Sequence, residues 1–83
     1  MDIGQAIAHL KEGHKISRRD FPIYGTYLYF VPANSYLSVT DIAKENGDTT
    51  WYAEYIALRV PGCAVTFWSP NQSDILANDW FLV

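Results

Sequence analysis

Apolar residues fall at Ile3, Ala6, Ile7 and Leu10, the i, i+3, i+4, i+7 spacing of one helical face, while Gln5, Lys11 and Glu12 turn to solvent. Asp2 is suited to N-cap that helix, Gln5 completes a capping box, and Gly13 stands where a left-handed residue would end it, so residues 2–13 are predicted helical. Beyond the helix the period changes from 3.6 to 2. Lys15-Ile16-Ser17-Arg18 reads as a short strand, and residues 20–25 form a loop punctuated by Pro22 and Gly25. Thr26 to Val31 is a run of β-formers. Tyr27, Tyr29 and Val31 share one face of it, and Thr26, Leu28 and Phe30 share the other. Both faces are apolar, so both are expected to be covered, the second by another subunit because the chain has one long helix to offer.

The later elements are shorter. Pro32-Ala33-Asn34-Ser35 reads as a turn, Tyr36 to Val39 as a short strand, and Thr40 to Gly47 as a helical turn ending in Asn46-Gly47-Asp48. Trp51 to Val60 is predicted to be one strand, turning at Pro61-Gly62 and returning over Ala64 to Trp68 as a hairpin. Pro70 is expected to open a single helical turn through Leu76, and Trp80 to Val83 to close the sheet. The predicted class is α+β, with an N-terminal helix on an antiparallel sheet of four or five strands and a short helical turn near the C-terminus.

With 83 residues the chain has room for one domain, and a domain of this size buries only about 60–65% of its unfolded surface. The composition is 49% hydrophobic and 16% aromatic, a rich apolar supply for a small core, which either serves in part an interface between copies or leaves the six tyrosines at the surface with their rings half-covered. A net charge of −3 argues against polymeric nucleic acid, which normally requires a basic stripe. A small anionic ligand stays possible, since two or three local Arg residues suffice for one phosphate. The single cysteine, Cys63, excludes an intrachain disulfide and suits a reducing compartment; it reads as a small buried residue or a turn residue. No signal-like segment or long apolar run is evident, so a cytosolic location is expected.

No catalytic motif is present. Asp74 and Asp79 are the only close carboxylate pair in that region, at i, i+5. His9 and His14 are also i, i+5, off the favourable i, i+4 pairing, so no metal or cofactor is expected. What the sequence offers instead is a flat aromatic, Trp68, beside short hydrogen-bonding side chains at Asn71, Gln72, Ser73 and Asp74. That combination suits holding a planar polar molecule, because a base stacked on an aromatic ring gains about 1–3 kcal/mol. Phe21, in a loop after Arg18-Arg19-Asp20, is either a second aromatic wall or a plug at one end of the core. Arg18 and Arg19 offer planar forks for phosphate, or a salt bridge to Asp20, Glu12 or Asp79. Asn71 or Ser73 also suits a helix cap, Trp80 belongs to the core, and Trp51 is rim or interface.

The opening Met1-Asp2-Ile3-Gly4-Gln5-Ala6-Ile7-Ala8-His9-Leu10-Lys11-Glu12-Gly13, the stretch Lys15-Ile16-Ser17-Arg18-Arg19-Asp20-Phe21 and the segment from Trp68 through Ser73-Asp74-Ile75-Leu76-Ala77 to Asp79-Trp80 resemble the Thoeris anti-defense proteins of the second type, small phage and prophage-borne proteins. The resemblance spans both ends and little of the middle. It implies a single domain over 1–83 that acts as a sponge, binding a cyclic ADP-ribose isomer made by bacterial TIR-domain immune proteins without cleaving it. It further implies a homotetramer in the host cytosol with pockets at subunit boundaries, and in some members a separate site for cyclic oligonucleotides. Carried onto this chain, the aromatic walls fall on Phe21 and Trp68. The polar contacts fall on Pro70, Asn71, Gln72, Ser73 and Asp74, with Arg18 or Arg19 nearby. Phe21 departs from the family's usual Trp, and Pro22-Ile23-Tyr24 from its Gly-rich loop. Two rival readings stand beside it: a protein-binding inhibitor that covers a host factor through exposed apolar patches, and a small hydrolase of the messenger working through Asp74 or Asp79.

Overall fold

Five hydrophobic side chains organise the structure. Ala6 and Leu10 of the first helix close over Ile16, Leu28 and Trp80 of the sheet beneath it, each of them at most 2% exposed. The computed structural model describes residues 1–83. Its elements run α1 (Ile3–Lys11), β1 (Ile16–Arg18), β2 (Tyr27–Val31), β3 (Asn34–Leu37), α2 (Asp41–Lys44), β4 (Thr49–Tyr52), β5 (Tyr55–Arg59), β6 (Thr66–Phe67), α3 (Gln72–Leu76) and β7 (Trp80–Leu82). The class is α+β. The main sheet has five strands in the order β6-β5-β2-β1-β7, every pair antiparallel, and β3 and β4 form a separate two-stranded ribbon.

Helix α1 begins as its sequence dictates. Asp2 Oδ1 accepts the Gln5 N–H at 2.8 Å, and Gln5 Oε1 accepts the Asp2 N–H at 3.0 Å, so the capping box is closed in both directions. The helix ends at Gly13, whose φ of +94° lets the chain reverse. The Gly13 N–H reaches Leu10 O at 3.0 Å and the His14 N–H reaches His9 O at 3.1 Å, the paired bonds of a Schellman cap.

Pairing register assigns the two faces of the sheet. Ile16 lies opposite Leu28, and Arg18 opposite Trp80, on the face that α1 covers. The other face carries Tyr27, Tyr29, Ala57 and Phe67, with Tyr29 opposite Ala57 and Ala57 opposite Phe67. No helix of this chain lies over it; the side chains of Lys15 and Arg59 lie over the Tyr27 ring, and Arg59 Nη1 also donates to Gly25 O at 3.2 Å. Ten of the 83 residues are buried, so most of the apolar residues keep part of their surface open in the single chain.

Several boundaries differ from those expected. The predicted strand 51–60 is two strands, broken at Ala53-Glu54, and the predicted turn 32–35 shrinks to Pro32-Ala33, so that β3 starts at Asn34 rather than Tyr36. The two differences have one cause. Tyr55 faces Val31 in the main sheet and, three residues further along each strand, Tyr52 faces Asn34 in the ribbon. The register does not slip, so β2–β5 and β3–β4 are two halves of one long hairpin. Pro32 has no N–H to donate to the ladder, and the pairing opens there. The hairpin tip carries α2 and projects from the body, giving extents of 43 × 26 × 22 Å. The return strand expected over 64–68 is paired only at Thr66 and Phe67. Pro70 does not open α3: Asn71 is its N-cap, with Asn71 Oδ1 accepting the Asp74 N–H at 2.8 Å and Asp74 Oδ2 accepting the Asn71 N–H at 3.0 Å. This second capping box fixes the start of the helix two residues after the proline. Cys63 is exposed beside the Pro61-Gly62 turn.

Candidate functional site

A cleft of about 490 Å³ opens between the 20–24 loop and the segment from Phe67 to Asp74. Three elements converge on it. Arg18 is the last residue of β1, Phe21 follows in the loop, and Trp68 ends the β6 segment, where its N–H donates to Ile56 O at 2.9 Å. Asn71, Ser73 and Asp74 come from the cap and first turn of α3.

Trp80 positions both aromatic walls. It is 2% exposed and meets Phe21 at a centroid distance of 5.7 Å with planes at 90°, and Trp68 at 5.6 Å with planes at 86°. These are edge-to-face contacts, favourable because the positive ring edge meets a negative face. The indole Nε1 of Trp80 donates to Asp74 O at 3.1 Å, which locks the buried ring against α3. Phe21 and Trp68 are each half-buried, leaning on the core from outside while lining the cleft.

Arg18 is an ionic hub. Its Nε donates to Asp79 Oδ1 at 2.8 Å, its Nη1 donates to Asp74 Oδ1 at 2.7 Å, and its Nη2 stands 3.7 Å from Asp20 Oδ2. Asp79 Oδ2 also accepts the Asp20 N–H at 3.1 Å. The Arg18 hydrogen bond holds the Asp79 carboxyl below its usual range, helped by the Asp20 amide and opposed by partial burial. The bond to Asp79 likewise strengthens the charged form of Arg18, against a desolvation penalty, with Asp74 adding to it. One guanidinium therefore faces three carboxylates. The cluster ties β1, the 20s loop, α3 and the start of β7 together, and both oxygens of Asp74 are engaged.

Of the residues singled out from the sequence, Arg18, Phe21, Trp68, Asn71, Ser73 and Asp74 line this cleft. Arg19, Pro70 and Gln72 do not. Arg19 lies beside a second cleft of about 500 Å³ that runs onto the open face, its guanidinium carbon 5.6 Å from the Phe81 ring centre. Pro70 borders a third, with Ile7, Lys11 and the other side of Trp68, and Gln72 is exposed on α3. Thr26 was not recognisable as a site residue from its place in an apolar strand. Thr26 is 7% exposed and lines both this cleft and the one beside Arg19, and its Oγ1 has no hydrogen-bond partner. Ser69 and Ile23 also border the cleft. Ser69 was legible as the polar neighbour of Trp68, whereas Thr26 and Ile23 become neighbours of Asn71 only through the fold.

The sequence spacing of the two histidines does not describe their separation in the fold. His9 and His14, spaced unfavourably for a straight helix, come together with Glu12 because the Schellman cap folds His14 back, and their ligand atoms lie within 4.8 Å of one another.

The family model for the Thoeris anti-defense 2-like domain matches residues 1–83, and the chain belongs to that family. No curated protein matches it. The family carries a Thoeris anti-defense role. No helix is long and apolar enough to cross a membrane.

Proposed function

With membership of the Thoeris anti-defense 2-like family as the premise, we propose that this chain binds and sequesters a cyclic ADP-ribose isomer, or a closely related cyclic nucleotide, without cleaving it. The observation that carries this reading is the cleft itself. Two aromatic rings, Phe21 and Trp68, border one space of about 490 Å³, within the range typical of small-molecule sites, and short polar side chains edge it.

The ion cluster sharpens the assignment. Three carboxylates around one guanidinium repel a diphosphate, so the cleft takes the base and ribose end of the ligand. Asn71 and Ser73 supply the polar contacts, and Arg18 and Asp74 act as struts that hold them. Arg19 makes no ion pair and is the free guanidinium nearest the cleft in sequence, which suits it to the phosphate side. The cluster also weighs against hydrolysis. A carboxyl held ionised by Arg18 is a poor general acid, since acid catalysis needs a raised pKa.

Oligomerisation belongs to the same proposal. The open face of Tyr27, Tyr29, Tyr55 and Phe67 is an aromatic surface that a second copy would cover, and a homotetramer in the host cytosol would place further residues at the cleft rims. The exposed ribbon side chains Leu37, Val39 and Ile42 favour one alternative, an inhibitor that covers a host protein.

Incubation of purified protein with the messenger, followed by filtration and heat release, tests the function. Recovery of intact messenger in stoichiometric amount is expected. Loss of messenger at substoichiometric protein would establish an enzyme, and capture of a host protein with no small-molecule binding would establish the alternative.

A further inference from the structure

The C-terminus of α1 carries a feature that ligand capture does not use. His9 Nδ1 and His14 Nε2 each lie 3.6 Å from the same atom, Glu12 Oε2. The two imidazoles meet edge-on, with centroids 5.6 Å apart and planes at 72°. The arrangement is imposed by backbone. His9 and Glu12 are i, i+3 neighbours on one helical face, and the φ of +94° at Gly13 turns His14 back over the helix end. A β-carbon at Gly13 would meet nothing within 4 Å, so glycine is needed there for its dihedral and not for space.

We propose that His9, Glu12 and His14 form a binding site for a divalent transition metal of the zinc type. A tetrahedral ion with bonds of about 2.0–2.1 Å has ligand–ligand edges of about 3.3–3.4 Å, so the two histidine–carboxylate separations of 3.6 Å need an adjustment of a few tenths of an ångström, while the two imidazole nitrogens, within 4.8 Å of each other, must close further by side-chain rotation. The donor set of two imidazole nitrogens and one carboxylate oxygen suits Zn²⁺, Ni²⁺ or Cu²⁺ and disfavours Ca²⁺ and Mg²⁺, which prefer oxygen. A second observation points the same way. His9 Nδ1 is buried at the atomic level and has no hydrogen-bond partner, an unmet demand that a metal would fill. Three protein ligands leave at least one position to water. The bound ion would clip the end of α1 to the two residues that lead into β1. The competing account of the same distances is a pair of histidine–glutamate ion pairs with no affinity for metal.

The test uses the full chain without a polyhistidine tag, stripped with chelator and titrated with ZnCl₂ by calorimetry and with CoCl₂ by visible absorption. One Zn²⁺ per chain and the intensified bands of low-coordinate Co²⁺ are expected. His9→Ala, His14→Ala and Glu12→Gln should each weaken binding by at least the roughly 10–100-fold that follows loss of even an outer-shell partner. All three positions are partly or fully exposed, and circular dichroism will verify that the variants fold. Cys63→Ser should change nothing, which separates this site from the exposed thiol. Absence of Zn²⁺ binding, or affinity unchanged in both histidine variants, overturns the proposal. Neither result bears on messenger capture.

Discussion

Arg18 and Asp74 are 56 residues apart in the chain and 2.7 Å apart in the structure, both almost wholly buried. This contact makes Asp74 a strut between β1 and α3. Removing one partner of a buried pair leaves the other charge uncompensated, at about 3–5 kcal/mol. Asp79 remains on Arg18, so Asp74→Ala should lose on the order of 3 kcal/mol, near the low end, with loss of the α3 capping box included. The shift of the urea midpoint checks it. Ser73→Ala, at the surface of the same turn, should stay within about 0.5 kcal/mol of the parent while weakening ligand capture. An Asp74→Ala protein with unchanged stability would remove the strut and return Asp74 to the list of direct ligand contacts.

Asp79 gives the cluster a pH dependence. The folded protein holds this carboxyl's proton less tightly than the unfolded chain does, so the resulting stability is complete above about pH 4 and is lost as pH falls through the depressed folded value. Asp79→Asn lacks that contribution at every pH. The parent should therefore lose stability more steeply than Asp79→Asn below about pH 4, and the two curves should converge in acid. Thermal unfolding followed across that range measures the slopes, and parallel curves would contradict the assignment.

Trp68 has two duties that a single substitution confounds. It lines the cleft, and it also packs on the core and on the edge of Trp80. Trp→Ala at a fully buried site loses about 3–5 kcal/mol, and the half-buried position should lose a part of that, so Trp68→Ala weakens both capture and folding. The separating experiment is a gain. Phe21→Trp enlarges the stacking surface at the opposite wall and should raise affinity several-fold, inside the roughly 1–3 kcal/mol range of a base–aromatic stack. Titration calorimetry with the cyclic nucleotide reads it. A gain cannot arise from unfolding, and equal or weaker binding by a folded Phe21→Trp protein would count against stacking on this ring.

The contrast between α1 and the 51–60 region shows what the sequence could carry. The capping box of Asp2 and Gln5, the apolar stripe and the terminal Gly13 are all local, and the helix formed where they placed it. The break at Ala53-Glu54 is not local. Trp51, Tyr52 and Tyr55 are uniformly good β-formers, and what divides them is Pro32 on the partner strand, whose identity as a partner depends on the register of the long hairpin. At the site, the polar turn after Trp68 and the aromatic at 21 were readable as types. The Arg18–Asp79 pair was readable only as one of several pairings, and the Arg18–Asp74 pair was not readable, because these partners lie 61 and 56 residues away in the sequence. The His9–Glu12–His14 cluster escaped the i, i+4 rule since the rule assumes a straight helix, and the chain turns at Gly13.

The open face of the sheet supplies the last prediction. Phe67 is 71% exposed on a two-residue edge strand, and its ring meets Tyr55 edge-on at 4.5 Å with planes at 67°, so the pair forms an aromatic patch beside Tyr29. Monomeric proteins seldom leave such a patch uncovered, and a chain with ten buried residues gains from covering it. A glutamate at 67 would have to lose its hydration in any interface across this face, whereas in the single chain it stands in water. Phe67→Glu should therefore leave the circular dichroism spectrum unchanged and shift sedimentation from an oligomer to the 9.4 kDa monomer. Equal sedimentation of the parent and Phe67→Glu as monomers would show that this face works alone, and equal oligomers would move the interface to the projecting ribbon.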